Sequence, residues 1–537
     1  MSTKQMKFDT DAHNAFKEGI EQMARAVSVT MGPSGRNVVV QKSFGSPAVT
    51  KDGVSVSREV ELPQAFQNMG AQMVHQVAKK TADLAGDGTT TATVLANSVF
   101  KSGLRHVTAG ANAVAIQRGI NAAALDACEY IESLARSCEG KDDLRKIAMV
   151  SANHDAVIAD VIAEALDTVG ADGVVEVEEG KAYETTLDYV EGMAFDKGYL
   201  SPYFMTDPKS AECVLEDAVI LLHEKKISNL ADLLPLLNKT ATAGKQLLII
   251  AEDVENEALA ALVVNRLRGV LQICAVKAPG FGERRKAMLG DIAAMTGGLF
   301  LSEDLGRNLE DVELEELGSA QRIVITKDST TVIRGAGSSE DIDSRAAQIR
   351  MQIEKSTSDY DREKLQERLA KLTGGVAIIA VGGSSEVEMK ERKDRVDDAL
   401  SASRAAAKEG YVPGGGVSFI RAQKHLRSKA AAIGGDEGIG YEILAQALEA
   451  PAWHIAENCG VDGDVVVDKI REGDGDFGYD AGHDVYGDMV ERGIIDPALV
   501  VCVSMKNAAS VSGLLLTTDV AITDLDGDDE PIQNAIV

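Results

Sequence analysis

The chain is 537 residues long, 45% hydrophobic and 26% charged, which supplies a real core and excludes disorder as the main state. Lysine and arginine total 55 against 84 aspartate and glutamate, a net charge of −29 that repels nucleic acid and anionic membranes. Aromatics are only 4%, so the core must be Val, Ile, Leu and Ala, and the length suggests three or four domains at ~150 residues each.

Phe16, Ile20, Met23 and Val27 recur at helical spacing and predict a first helix, stopped at Gly32-Pro33. Asn37 to Val40, Ala48 to Lys51 and Val54 to Ser57 read as short strands. Asp52-Gly53, between the last two, is a hairpin signal. From Met69 to about Leu134 the chain is Ala-rich and helical, interrupted at Gly86-Asp87-Gly88 and Gly110.

The middle changes character. Gln246 to Ala251 is a continuous apolar run, as a strand buried on both faces requires. Glu255 to Arg268 reads as helix and Leu271 to Val276 as a second buried strand, together a βαβ unit. Leu365 to Lys371 is helical, Val376 to Val381 a strand, and a charged helix runs from about Glu386 to Glu409, ending at Gly410. The last third is helical again. The fold class is therefore multidomain α and α/β, with helical ends folding together and the α/β middle inserted.

No segment reads as membrane-spanning: the longest run without Asp, Glu, Lys or Arg, Leu62 to Ala78, is rich in Gln. The start carries Asp9, Asp11 and Glu18, against a secretory or transit leader. Cysteines at 128, 138, 213, 274, 459 and 502 form no CxxC pair and the histidines no ligand-spaced cluster, so the thiols read as reduced, in a cytoplasmic protein.

Gly86-Asp87-Gly88-Thr89-Thr90-Thr91 carries the sharpest chemical signal. Glycines allow backbone N–H groups close to a ligand, a helix starting at the threonines offers its N-terminus to phosphate, and Asp87 can hold Mg²⁺. The bland alternative is a helix cap. Thr30-Met31-Gly32-Pro33 alone is a helix stop, Lys51-Asp52-Gly53 a hairpin, and Pro413-Gly414-Gly415-Gly416 a flexible loop. Asp398 points away from the helix face formed by Val396, Leu400, Ser403 and Ala407, towards either solvent or another segment's ligand. Gly473 to Gly478 matches GxGxxG but lacks the strand before and the helix after. Asp524 to Asp528 lacks the glycine and final acid of a Ca²⁺ loop, and no Walker A motif occurs. The helices around Leu234 and Leu259 are apolar almost all round, hence either buried or a binding surface.

These motifs, with Tyr199 to Phe204, Lys277 to Gly282 and Asp359 to Arg368, resemble the group I chaperonin, the GroEL-type sixty-kilodalton family, from about Lys7 to Leu525. The resemblance implies an equatorial domain from both ends (1–134 and 410–537), a hinge-like intermediate domain (135–190 and 377–409) and an apical α/β domain (191–376). It implies an ATP hydrolase that binds unfolded polypeptides and encapsulates them in a ring cavity under a GroES-type co-chaperonin, in seven-membered rings, usually two stacked. ATP, Mg²⁺ and K⁺ are the implied cofactors. Thr30, Met31, Gly32 and Pro33 with Asp87, Gly88, Thr89, Thr90 and Thr91 would wrap the phosphates, with Lys51 beside them and Asp87 on the metal. Gly415, Asp480, Ala481, Gly482 and Asp496 would meet the nucleoside. Asp398 would align or activate water, with Asp52 nearby. The spacing from Gly410, roughly 18 Å along the helix, implies that a hinge closure brings Asp398 in. Tyr199, Tyr203, Phe204, Leu234, Leu237, Leu259, Val263 and Val264 would form the surface for clients and co-chaperonin.

The chain departs from the family pattern in places. Residues 526–537 replace the usual Gly-Gly-Met tail, Trp453-His454 stand where a basic residue is common near the ring–ring contact, Asp480 replaces Asn and Pro413 replaces Ala. These suggest a paralogue with specialised clients. The competing readings are an apolar-surface scaffold with a slow nucleotide site and, without any recognisable acceptor pocket, a small-molecule kinase.

Overall fold

The structure, a computed structural model, describes residues 4–41, 47–170, 173–180, 182–207, 210–302, 308–356 and 358–524. The chain divides into two compact units. One gathers the described parts of Met1–Asp167, Val177–Thr186 and Ala380–Val537, the other those of Thr168–Glu176 and Leu187–Ile379. The tail at 526–537 lies outside the described residues.

The first unit is helical and built from both chain ends. Helices Asp9–Ser28, Ala65–Ala85, Thr89–Thr108 and Ala113–Leu134 share one core with Val417–Ile433, Gly435–Ala447 and Ala498–Leu516. Phe16, Ile20, Met23 and Val27 all enter that core, as their spacing predicts. Polar ties join the two ends inside it: Asn507 donates to Thr81 Oγ1 at 3.1 Å, Ser512 to the Ala96 carbonyl at 2.9 Å and Tyr441 to Asp126 at 2.7 Å. Strand Lys4–Phe8 pairs antiparallel with Val520–Asp524, Met6 opposite Ile522. Ala498–Leu516 is the one helix among the described residues long and apolar enough to cross a membrane, yet it is mostly buried in this core. Lys506 interrupts it, so a scan for uncharged runs passes it over.

One local expectation is overturned. Val38–Val40 does form a strand, but it pairs with Ala48–Thr50. Asp52-Gly53 is not a hairpin turn: Gly53–Glu59 is a helix, and the Asp52 carboxylate caps it by accepting from Val54 N at 3.0 Å and Ser55 N at 2.8 Å. Asp favours a cap as readily as a turn, and here the cap prevails.

The second unit is α/β. Its sheet runs Gly192–Phe195, Thr330–Gly335, Gly318–Ile325, Cys213–His223, Leu247–Ala251, Ile273–Lys277, with short Phe300–Leu301 beside Cys213–His223. The last three strands of that path are parallel, with Leu247–Ala251 buried along its whole length. Helix Asn256–Leu267 is the crossover between them. Asp291 is 1% exposed and receives Arg345 Nε at 2.7 Å together with Arg368, tying helices Glu283–Thr296, Ser339–Lys355 and Asp359–Thr373 together. Removing one partner of such a buried pair costs about 3–5 kcal/mol.

Candidate functional site

In the first unit the segments singled out in sequence close around one cleft of about 240 Å³. Helix Thr89–Thr108 supplies its floor. Gly86 and Gly88 both have positive φ, 71° and 82°, and a Cβ on Gly88 would lie 2.5 Å from Ser504 Oγ, so only glycine fits. Gly88 is the N-cap and carries no side-chain cap, so the first N–H groups of this helix face the cleft without an intramolecular carboxylate or hydroxyl cap. The capping alternative for Asp87 is thereby excluded. An uncapped N-terminus is an anion site by geometry and dipole.

Thr30 to Pro33 come alongside because Thr30 Oγ1 lies 3.1 Å from Thr90 Oγ1 and Asn458 Nδ2 donates to the Ser28 and Met31 carbonyls at 2.8 and 2.9 Å. Asp52 lies against the same helix start, with Thr89 Oγ1 3.5 Å from its Oδ1. Lys51 lines the cleft too, with no ion pair among the described residues. Asp87 accepts from Gly88 N at 2.6 Å and Ser151 Oγ at 2.5 Å. Burial pushes its carboxyl above the ordinary range against those two bonds, and the Asp52 charge adds to the rise.

Asp398, on helix Glu386–Glu409, lines the cleft. Burial first, then Asp52, Asp87, Asp397 and Asp394 push its carboxyl well above the usual carboxylate range. Asp394, one turn earlier, is raised to about 6 by burial and by Asp52. The side of the helix that Asp398 takes is therefore neither core nor open solvent. Asp398 and Gly415 line the same cleft in this conformation, so the 18 Å spacing along the helix does not keep them on separate surfaces.

The opposite wall comes from the chain's last third. Gly415 and Gly416 take positive φ, 64° and 82°, between strand Tyr411–Pro413 and helix Val417–Ile433. Asp496 sits in strand Ile495–Pro497 opposite Val412, and burial, then Asp87, raises it to about 7. Asp480, Ala481 and Gly482 line the wall from the hairpin Phe477–Asp480 and Val485–Asp488. The order helix, turn, strand around Gly473 to Gly478 is the reverse of a dinucleotide fingerprint.

Sequence reasoning missed several lining residues: Ser151 at the end of helix Lys141–Ser151, Asn153 and His154 just past it, and Tyr479, Met489 and Ile494. Asn153 and His154 both have positive φ in the turn after that helix, and no motif in the sequence marks them. Asp394 was legible, since carboxylates at i and i+4 repel and are otherwise avoided.

The residues fit a divalent cation held between protein and ligand. Asp52, Asp87 and Asp398 face one cleft with no ion pair to a basic side chain among the described residues. Among the described residues no group of three or more His, Cys, Asp or Glu could hold a metal alone, so phosphate oxygens and water would complete the shell, the usual habit of Mg²⁺.

The second unit carries the expected apolar surface in part. Tyr203 is 63% exposed, Leu234 44% and Val264 43%. Tyr199, Leu259 and Val263 are half-buried, all three packed on the sheet's core. Phe204 and Leu237 are core residues at 0% and 4%, not surface. In the turn Pro202–Phe204 adjacent side chains point opposite ways, and Leu237 follows Leu233 and Leu236 onto the inner face of helix Leu230–Ala243. Leu267, Val270 and Phe281 are exposed apolar groups that the sequence reading did not assign to the surface.

The model of the TCP-1/cpn60 chaperonin family matches residues 23–525, nearly the whole chain.

Proposed function

The chain belongs to the TCP-1/cpn60 chaperonin family and is a chaperone of that type, and from this we propose that it is an ATP-hydrolysing folding chaperone of the group I kind. The observation that carries the reading is the cleft, where an uncapped helix N-terminus meets Asp52, Asp87 and Asp398. The helix N–H groups and Lys51 would bind phosphate and Asp87 would hold Mg²⁺, with K⁺ as a further cofactor. The metal supplies positive charge to the phosphate oxygens. Asp398 orients and deprotonates the attacking water, with Asp52 beside it. Gly415, Ala481, Gly482 and Asp496 receive the nucleoside.

Unfolded polypeptides bind the exposed apolar groups of the second unit, which recognise apolar area and so accept many clients. Seven-membered rings, probed as one ring or two, and a GroES-type co-chaperonin complete the cycle, and the cytoplasm is the proposed compartment. The test is Mg-ATP turnover together with suppression of aggregation of a chemically denatured protein, with and without a GroES-type protein. We expect turnover, capture, and release on adding ATP and the co-chaperonin. A chain that captures clients but neither binds nor hydrolyses ATP would be a scaffold instead.

The surface has its own test. An exposed side chain buried against a client contributes about 1.5–3 kcal/mol at most, multiplied across a ring by effective concentration. Val264→Ser and Leu234→Ser are expected to weaken capture of a denatured client several-fold, with the melting temperature little changed, since surface substitutions cost about 0.5 kcal/mol or less. Phe204→Ser should instead lower the melting temperature. Equal capture by parent and both surface variants would remove these residues from the client site.

A further inference from the structure

Asp480 lines the nucleoside wall, but its carboxylate is fully engaged elsewhere. It is 4% exposed. Oδ1 accepts from Gly482 N at 3.1 Å and His483 N at 3.2 Å, and Oδ2 accepts from Arg492 at 3.3 Å and lies 2.9 Å from His483 Nδ1. An ionised carboxylate offers about four lone-pair sites. All four are taken, so none remains for the edge of a base without breaking a bond to the protein.

The partners show what the carboxylate holds. Gly482 and His483 form the turn that follows Asp480, and Gly482 lies against Pro33 across the cleft, 3.9 Å from a Cβ built on the glycine. Arg492 comes from the next turn and crosses the backbone at Gly487, where an added Cβ would meet its Nε at 2.7 Å. Neither His483 nor Arg492 lines the cleft. The His483 ring is largely exposed and meets only this carboxylate among the described contacts, while its backbone N–H also reaches the Asp480 carbonyl at 3.3 Å.

We propose that Asp480 is a positioning residue: clamped by Arg492 and His483, it fixes the 480–483 turn so that the backbone of Ala481 and Gly482 meets the nucleoside, and it does not read the base itself. This rests on the nucleotide reading of the cleft. It makes Arg492 and His483, outside the cleft, determinants of nucleotide affinity. It also makes the discrimination between bases independent of the Asp480 carboxylate.

The experiment measures KM and kcat with ATP and with GTP for the parent and for Arg492→Ala, Arg492→Lys, His483→Ala and Asp480→Ala. Loss of a charge-assisted bond that orders the turn should raise KM for ATP on the order of tenfold in Arg492→Ala, with kcat within about twofold. Arg492→Lys should recover part of the loss, and His483→Ala should act in the same direction. The ratio of ATP to GTP efficiency should stay at the parent value in every variant. If Arg492→Ala and His483→Ala match the parent while Asp480→Ala alone shifts the ATP to GTP ratio, the carboxylate reads the base and the proposal fails. Should Asp480→Ala fail to fold, the two arginine variants still decide through KM and rescue. A parent chain that binds ATP normally with unchanged KM in Arg492→Ala sinks the clamp alone; a parent that binds no nucleotide sinks the nucleotide reading and the clamp with it.

Discussion

Asp398→Asn is expected to bind Mg-ATP nearly as the parent does and to hydrolyse it about 10²–10⁴-fold more slowly, the contribution of a positioned general base. The asparagine keeps the size of the side chain while removing the charge. A second readout follows from electrostatics. Burial and the charges of Asp52, Asp87, Asp397 and Asp394 raise the Asp398 carboxyl well above its ordinary value, so ionising it in the nucleotide-free fold is costly. A raised folded pKa contributes stability that is complete below the unfolded pKa and is lost as pH rises through the folded value. With Asp394 raised from 3.8 to about 6 and Asp496 to about 7, the chain should lose stability as pH climbs from about 4 to about 7 and level off above. Asp398→Asn should therefore melt higher than the parent at neutral pH while hydrolysing less. Unchanged turnover in single-cycle kinetics would return Asp398 to an ordinary helix position, whatever the melting curve shows.

Asp87→Asn is expected to abolish metal-dependent hydrolysis. The asparagine Oδ1 can still accept from Gly88 N, and its amide N–H can donate to Ser151 Oγ in place of the bond the native carboxylate accepts, so the local fold should survive. What it lacks is charge for a cation. Lewis-acid stabilisation of a phosphoryl transition state is worth several kcal/mol, hence a drop of about 10³-fold or more. Turnover measured against Mg²⁺ concentration checks this. A parent-like metal curve with full activity would reduce Asp87 to a partner of Ser151.

The two variants depend on features of very different visibility in the sequence. The ends of helix Glu386–Glu409 could be read because both are marked: Ser385 accepts from Glu388 N and Gly410 closes the helix. The role of Asp398 could not, because an amphipathic pattern divides a helix into core and not-core, and not-core includes both open water and a cleft. The Gly-Asp-Gly-Thr-Thr-Thr segment was legible because glycine at positive φ before a helix has few other uses. Asp52 was misread because one dipeptide encodes two local structures, and only the bonds from Val54 and Ser55 decide between them. Phe204 and Leu237 were misplaced for a related reason. Apolarity alone does not say which side of a turn or helix meets the sheet, and that depends on strands far away in sequence. Ser151, Asn153 and His154 had no pattern of their own, since the fold alone carries them to the cleft.

The pairing of Lys4–Phe8 with Val520–Asp524 bears on how the molecule is born. The helices emerging first from a ribosome, Asp9–Ser28 to Ala113–Leu134, share a core with helices made hundreds of residues later. Until Ala498–Leu516 arrives, helix Thr89–Thr108, whose Ala96 carbonyl it meets through Ser512, lacks part of the core that covers it. A contact order of that kind slows folding and lengthens the time that apolar helices stand open. The chain is thus itself an aggregation hazard during its synthesis, the same condition it is built to relieve in others. Because strands 4–8 and 520–524 lie side by side, a circularly permuted gene that joins them by a short linker and opens the chain in the second unit would make this helical unit from one continuous stretch. That gene product should need less help to reach its native state.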